Sequence, residues 1–180
     1  IAENCKLINK PTLLSFLELR GHVENRPLVE NLGYFGNKKA VERQYHLDTW
    51  DAIKAAAERH NEPGVFTAFA GYEYSPAMVD RGKHHRNVIF RTSVTPAYAV
   101  SAYDADSEID LWKQLDATCG EGCEFLTIPH NPNKSWGLAF ASETIDGIPY
   151  TREDWHLRET FEPLVEMFQI KGNSECALGF

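Results

Sequence analysis

The chain has 180 residues, 43% of them hydrophobic, and its 18 basic and 26 acidic side chains give a formal net charge of −8. That is enough apolar material for one domain with a sizeable core and too little length to expect a second, and the acidic balance argues against a nucleic acid or an anionic membrane surface as the main partner. No apolar run approaches the roughly 20 residues that span a bilayer. No charged-then-apolar signal segment opens the chain, and it starts at Ile1 rather than Met, which suggests a processed protein or an excerpt from a longer one.

Residues 1–36 are the least readable part. Pro11 and Thr12 can open a short helix through Leu13, Leu14, Phe16, Leu17 and Leu19, with Gly21 as its stop, and Gly33-Tyr34-Phe35-Gly36 reads as a loop. From Asn37, a fair N-cap, to Asn61 the spacing of Val41, Tyr45, Trp50, Ile53 and Ala57 predicts a helix that Pro63-Gly64 ends. A first strand follows over Gly64–Ala70, leaving Glu73 just past its end. Ser75–Lys83 reads as a loop, and Val88–Arg91 as a second short strand preceded by His84, His85, Arg86 and Asn87. Ser107 caps a helix carrying Ile109, Leu111, Trp112 and Leu115, with Asp110 at its third position, where a carboxylate favours the free amides.

The Gly-rich turn Cys119–Cys123 then feeds the stretch Glu124–Asn133. Its short apolar run looks like a strand buried on both faces, stopped by Pro129 so that it ends by presenting His130. Residues 131–150 form a long polar loop. Thr151 caps a third helix with Asp154 at its third position, and Pro163 precedes a last strand, Leu164–Ile170, followed by Lys171. This alternation predicts an α/β fold with a mainly parallel sheet and flanking helices, in which loops at the carboxyl ends of strands assemble the chemistry.

Four cysteines are present, Cys5, Cys119, Cys123 and Cys176, and only one pair is closely spaced, so structural zinc is not expected. A disulfide across Gly120-Glu121-Gly122 is sterically open because glycines let the loop fold back. Four reduced thiols are the alternative, and a disulfide would place the protein in an oxidising compartment.

Three strand ends carrying Glu73, His130 and Lys171 suggest one site. Carboxylate plus neutral imidazole is a ligand set for Zn²⁺, Mn²⁺ or Fe²⁺, and Glu73, His85 and His130 are the candidate ligands. In the plainer alternative, Glu73 pairs with Arg81 or Arg86 at the surface. Constrained between Pro129 and Asn131, His130 has a backbone held for the purpose, and Asn131 can orient it. Arg86, Lys171 and Lys134 are cations near these ligands that could clamp a small anionic substrate such as a phosphate or sulfate. Metal with nearby cations fits hydrolysis of a phosphate ester through metal-activated hydroxide. No nucleophile elbow, phosphate-binding Gly-rich loop or dinucleotide fingerprint is present.

Gly71-Tyr72-Glu73-Tyr74-Ser75, His85-Arg86-Asn87-Val88-Ile89-Phe90, Ile128-Pro129-His130-Asn131, and Glu162-Pro163-Leu164-Val165-Glu166 with Gln169-Ile170-Lys171-Gly172-Asn173-Ser174-Glu175 resemble, in order, the motifs of the domain-of-unknown-function 3604 family. That family looks like a branch of the PHP (polymerase and histidinol phosphatase) superfamily of metal-dependent phosphoesterases. The resemblance runs from about Trp50 to Cys176. It implies a distorted βα barrel with two or three divalent metal ions at the strand ends, Glu73 as a bridging carboxylate, His85 and His130 as metal ligands, and Arg86, Asn131 and Lys171 as pocket residues. It also implies a periplasmic or secreted location, since members are often exported, with a cytoplasmic one as the alternative. Some carry cysteines near Cys119, Cys123 and Cys176, which favours the disulfide.

The superfamily's opening His-x-His, its Asp-His pair and its closing Asp-x-His have no counterpart in this chain. These 180 residues then read as the central part of a longer protein whose flanks supply the missing ligands. Two other functions stay open: a non-catalytic binding or scaffolding domain with an incomplete metal site, and a hydrolase of sulfate or carboxylic esters or amides. Oligomeric state is not legible.

Overall fold

The computed structural model describes residues 39–76, 82–144, 147–170 and 172–173. The helix expected from Pro11, the Gly33–Gly36 loop, the cap Asn37, and Cys5, Arg81, Lys171 and Cys176 lie outside them. By internal contacts the chain divides into two units, residues 1–48 and 49–180. The architecture that follows is that of the second, together with the helix that begins at Lys39 in the first.

Three helices form where local signals place them. Helix α1 spans Lys39–His60 and closes with the basic residues Arg59 and His60; the Arg59 charge suits the negative end of the helix dipole. Within it Trp50 is buried, Ile53 and Ala57 pack behind it, and the Trp50 Nε1–H donates to the Pro96 carbonyl at 3.0 Å. Helix α2 spans Glu108–Thr118, and the side chain of its N-cap Ser107 accepts from the Asp110 amide. Helix α3 spans Arg152–Phe161 and opens with a full capping box between Thr151 and Asp154. Among the described residues no helix is long and apolar enough to cross a membrane.

The sheet corrects the expectation of parallel strands. Strands β1 (Gly71–Tyr74), β2 (Arg86–Phe90) and β3 (Phe125–Pro129) lie in the order β1-β2-β3, and both pairings are antiparallel. The mixed α/β class stands, but the described residues form a small antiparallel sheet and no barrel. The reason lies in the connection between β2 and β3. After Phe90 the chain turns with Thr92 bonded to the Gly122 carbonyl, then runs back along the sheet, where Val100 accepts from the Tyr72 hydroxyl and Ala105 from the Tyr74 hydroxyl. This irregular segment, bent and turned along its course, makes the return leg that a crossover helix makes in a parallel unit. Helix α2 therefore starts at the Arg86 end, and β3 comes back antiparallel.

Alternation along the strands separates two faces. Arg86, Val88 and Phe90 of β2 point inward, and Tyr74 and Thr127 join them. The core beneath the sheet contains Trp50, Val88, Phe90, Leu111 and Leu115, with Trp112 and Tyr150 in an adjoining cluster. Truncating a fully buried Leu such as Leu115 removes roughly 2–5 kcal/mol. Glu73, Asn87 and Ile128 share one cross-strand row on the opposite face, which is half open. The Leu126 and Ile128 side chains are half-buried, so β3 is not sealed on both faces as expected.

Two strands move. The chain turns over 63–65, closed by a single bridge from Glu62 to Phe66, with Val65 and Phe66 left exposed and no strand over 67–70; the pairing partner of β2 is Gly71–Tyr74 instead. Leu164–Ile170 forms only a two-residue strand, β4 (Phe168–Gln169), paired with β5 (Gly172–Asn173). Apolar composition alone does not make a ladder. Among the described residues neither run has a neighbouring strand that satisfies its backbone along its full length.

Cys119 and Cys123 are joined in a disulfide with Cα atoms 5.2 Å apart, closing the corner between α2 and β3.

Candidate functional site

The row of residues that follows Tyr74–Arg86–Pro129 in the sheet register brings His85 beside His130, and the His130 amide donates to the His85 carbonyl at 2.8 Å. The ladder thus continues past Pro129, contrary to the sequence expectation. Pro129 faces Arg86 at a position where neither residue exchanges hydrogen bonds, so the missing N–H falls on the outer edge of β3. A second tie fixes the approach to His85. Gly82 has φ +72, a Cβ there would lie 2.7 Å from the Ser135 carbonyl carbon, and the Lys83 amide bonds the Lys134 carbonyl at 2.9 Å.

Glu73 lies within β1, not beyond a strand as expected, and its carboxylate sits between the two histidines. Oε1 is 2.6 Å from His85 Nδ1 and accepts from the Ser75 hydroxyl at 2.8 Å, while Oε2 lies 3.8 Å from His130 Nε2. Partial burial alone would raise the Glu73 pKa; the Ser75 hydrogen bond and the His85 and His130 rings outweigh it and hold the carboxyl below its ordinary value. Burial pushes His85 below its ordinary value, more than the adjacent Glu73 carboxylate raises it. At neutral pH a neutral His85 therefore donates Nδ1–H to an ionised Glu73 and keeps its lone pair on Nε2.

His130 is held from the other side by Glu166, a residue that its sequence context does not single out. The ring Nδ1 is 3.1 Å from the Glu166 carboxylate, the Asn131 amide donates to Glu166 Oε2 at 2.8 Å, and Gln169 Nε2 donates to the same oxygen at 3.1 Å and also to Asn131 Oδ1. Asn131 is buried and left-handed, with φ 57° and ψ 45°, a conformation Asn adopts more readily than most residues. The available signal was polarity: Glu166 and Gln169 interrupt an otherwise apolar run, and both turn inward while Met167 and Phe168 stay exposed.

Arg86 is placed elsewhere. Its side chain is 1% exposed, Nε donates to Glu162 Oε2 at 2.8 Å, Nη1 donates to the His84 carbonyl at 2.9 Å, and the guanidinium lies over the Trp112 ring. Burial alone would lower its pKa, but Glu162 and Glu108 outweigh that and raise it, so the charge is kept inside. The alternative pairing of Glu73 with Arg86 does not form, and Arg86 is committed to the core rather than offered as an anion clamp. Lys134 is exposed on a short turn, Pro132–Lys134. Of the sequence-derived candidates, Glu73, His85, His130 and Asn131 come together.

A divalent cation fits this cluster by donor type: carboxylate and imidazole, with Glu73 Oε2 and His130 Nε2 facing each other. Their 3.8 Å separation is too long for a hydrogen bond and close to what two ligand bonds of about 2.0–2.2 Å span. Among the described residues no group of three or more His, Cys, Asp or Glu side chains is arranged to hold one ion. His85 Nδ1 is occupied by Glu73.

No curated protein and no solved structure matches the chain. The family model described as protein of unknown function (DUF3604) matches residues 18–180, nearly the whole chain, and the protein belongs to that family.

Proposed function

We propose that this chain is the central part of a PHP-like metal-dependent hydrolase of phosphate esters, with a site built on Glu73, His85 and His130. The observation that carries the reading is the carboxylate of Glu73 between two imidazoles, one of them backed by a second carboxylate, an arrangement common around catalytic cations. Motif order supports the PHP-like assignment. Glu73 and His130 would hold a Zn, Mn or Fe ion, completed by ligands from outside the described residues. When bound, such an ion supplies Lewis acidity and a water of lowered pKa.

The chain's own groups have definite tasks in this scheme. Glu73 stays ionised, as its depressed pKa requires. Neutral His85 orients Glu73 through Nδ1–H and has Nε2 free to take a proton or a ligand bond. Asn131 fixes the turn behind His130. Lys171 remains the candidate for binding the substrate's anionic oxygens, and Arg86 braces β2 from inside.

The test is metal content by inductively coupled plasma mass spectrometry on protein purified without chelator, for this chain and for a longer protein that contains it. At least one equivalent of metal, lost in Glu73→Ala and His130→Ala, supports the reading and leads to a screen of phosphate, sulfate and carboxylic esters that separates the hydrolase classes. No metal after reconstitution overturns it in favour of a binding domain.

A further inference from the structure

Three N–H donors converge on one carboxylate behind the candidate site. Glu166 receives the Asn131 amide and Gln169 Nε2 on Oε2, and both its oxygens lie 3.1 Å from His130 Nδ1. A carboxylate in this setting only accepts, so the proton of a neutral His130 belongs on Nδ1. The other ring nitrogen agrees. A protonated Nε2 would be drawn into a hydrogen bond with Glu73, yet Nε2 and Oε2 stand 3.8 Å apart, beyond hydrogen-bond range.

We propose that Glu166 is a positioning residue that holds His130 in its Nδ1–H tautomer and so presents the Nε2 lone pair toward Glu73 as a ready cation ligand. The cation half of this statement rests on the site reading given above. The tautomer half stands on geometry alone. Glu166 is suited to the task because it is itself fixed. Its neighbours on both sides, Val165 and Met167, face outward, while the Asn131 and Gln169 bonds set the carboxylate's plane. The carboxylate cannot turn away without losing the Asn131 amide, Gln169 Nε2 and the His130 ring together, so the ring nitrogen meets a fixed acceptor.

Long-range ¹⁵N–¹H correlation spectra of histidine-labelled, chelator-dialysed protein at neutral pH report the tautomer directly, with His130→Asn identifying the resonances. The expected spectrum has His130 protonated at Nδ1 and bare at Nε2. Glu166→Ala should mix the tautomers and weaken Zn²⁺ binding in calorimetry by 10- to 100-fold. Glu166→Gln, whose amide oxygen still accepts from Nδ1–H, should retain the tautomer and most of the affinity. An Nε2–H tautomer in the wild type overturns the proposal, and so does a Glu166→Ala protein with unchanged tautomer and affinity. The wild-type spectrum decides even if Glu166→Ala fails to fold. The expected tautomer in a wild type that binds no Zn²⁺ overturns the cation reading of Glu73 and His130 while supporting the orientation assigned to Glu166.

Discussion

Arg86 and Glu162 meet inside the molecule with Nε and Oε2 2.8 Å apart and side chains only 1% and 2% exposed. Glu162 also bonds Arg158 at 3.1 Å and lies beside Thr127, whose hydroxyl donates to the Phe161 carbonyl, so the pair ties the central strand to the end of α3. Glu162 leads directly into the segment that carries Glu166. The ion pair therefore sets where the carboxylate behind His130 begins.

Removing one partner should leave a buried charge uncompensated. Arg86→Ala or Glu162→Ala is expected to cost roughly 3–5 kcal/mol, measured by urea denaturation. A double replacement by apolar residues of similar volume should recover part of that loss, because the desolvation cost disappears with the charges.

The capping box of α3 makes a smaller and pH-dependent contribution. Thr151→Ala should destabilise by about 1 kcal/mol. Burial alone would raise the Asp154 pKa, but the Thr151 hydroxyl and amide and nearby Lys113 hold it below its ordinary 3.8. A carboxylate depressed in the folded state contributes stability above its unfolded pKa and loses it as pH falls through the folded value. The difference between wild type and Asp154→Asn should therefore be full near neutral pH and shrink below 3.8, as chemical denaturation across an acid series would record.

The Cys119–Cys123 disulfide spans a sequence separation of 4. A loop this short removes little chain entropy, about 2 kcal/mol. Reduction, or the double Cys→Ala variant, should lower the denaturation midpoint modestly and leave a cooperative transition. A complete loss of folding would mean that the α2–β3 corner depends on the bond itself.

Within the candidate site, Ser75→Ala removes a hydrogen bond that lowers the Glu73 pKa. Metal affinity should fall a few-fold at acidic pH and recover as pH rises, because the carboxyl then has to be freed of its proton at a higher pH. Titration calorimetry with Zn²⁺ at two pH values checks this, and equal loss at both would contradict it.

Local chemistry accounts for what the sequence by itself determined. Ser107 and Thr151 cap α2 and α3 as read, since a cap bonds amides within its own first turn. The end of α1 before Pro63 was legible too, and Glu73, His85 and His130, singled out from the sequence as candidates, are brought together by the strands. Strand direction was not. A β-α-β order suits a parallel crossover, and only the contacts of Val100 and Ala105 with Tyr72 and Tyr74 show that an irregular segment makes the return leg. The fate of Arg86 and the part played by Glu166 were likewise tertiary decisions. Arg86 finds Glu162 across 76 residues and Glu166 finds His130 across 36. Both are strongly solvated side chains whose default place is the surface, and a partner brought near by folding is what turns each of them inward.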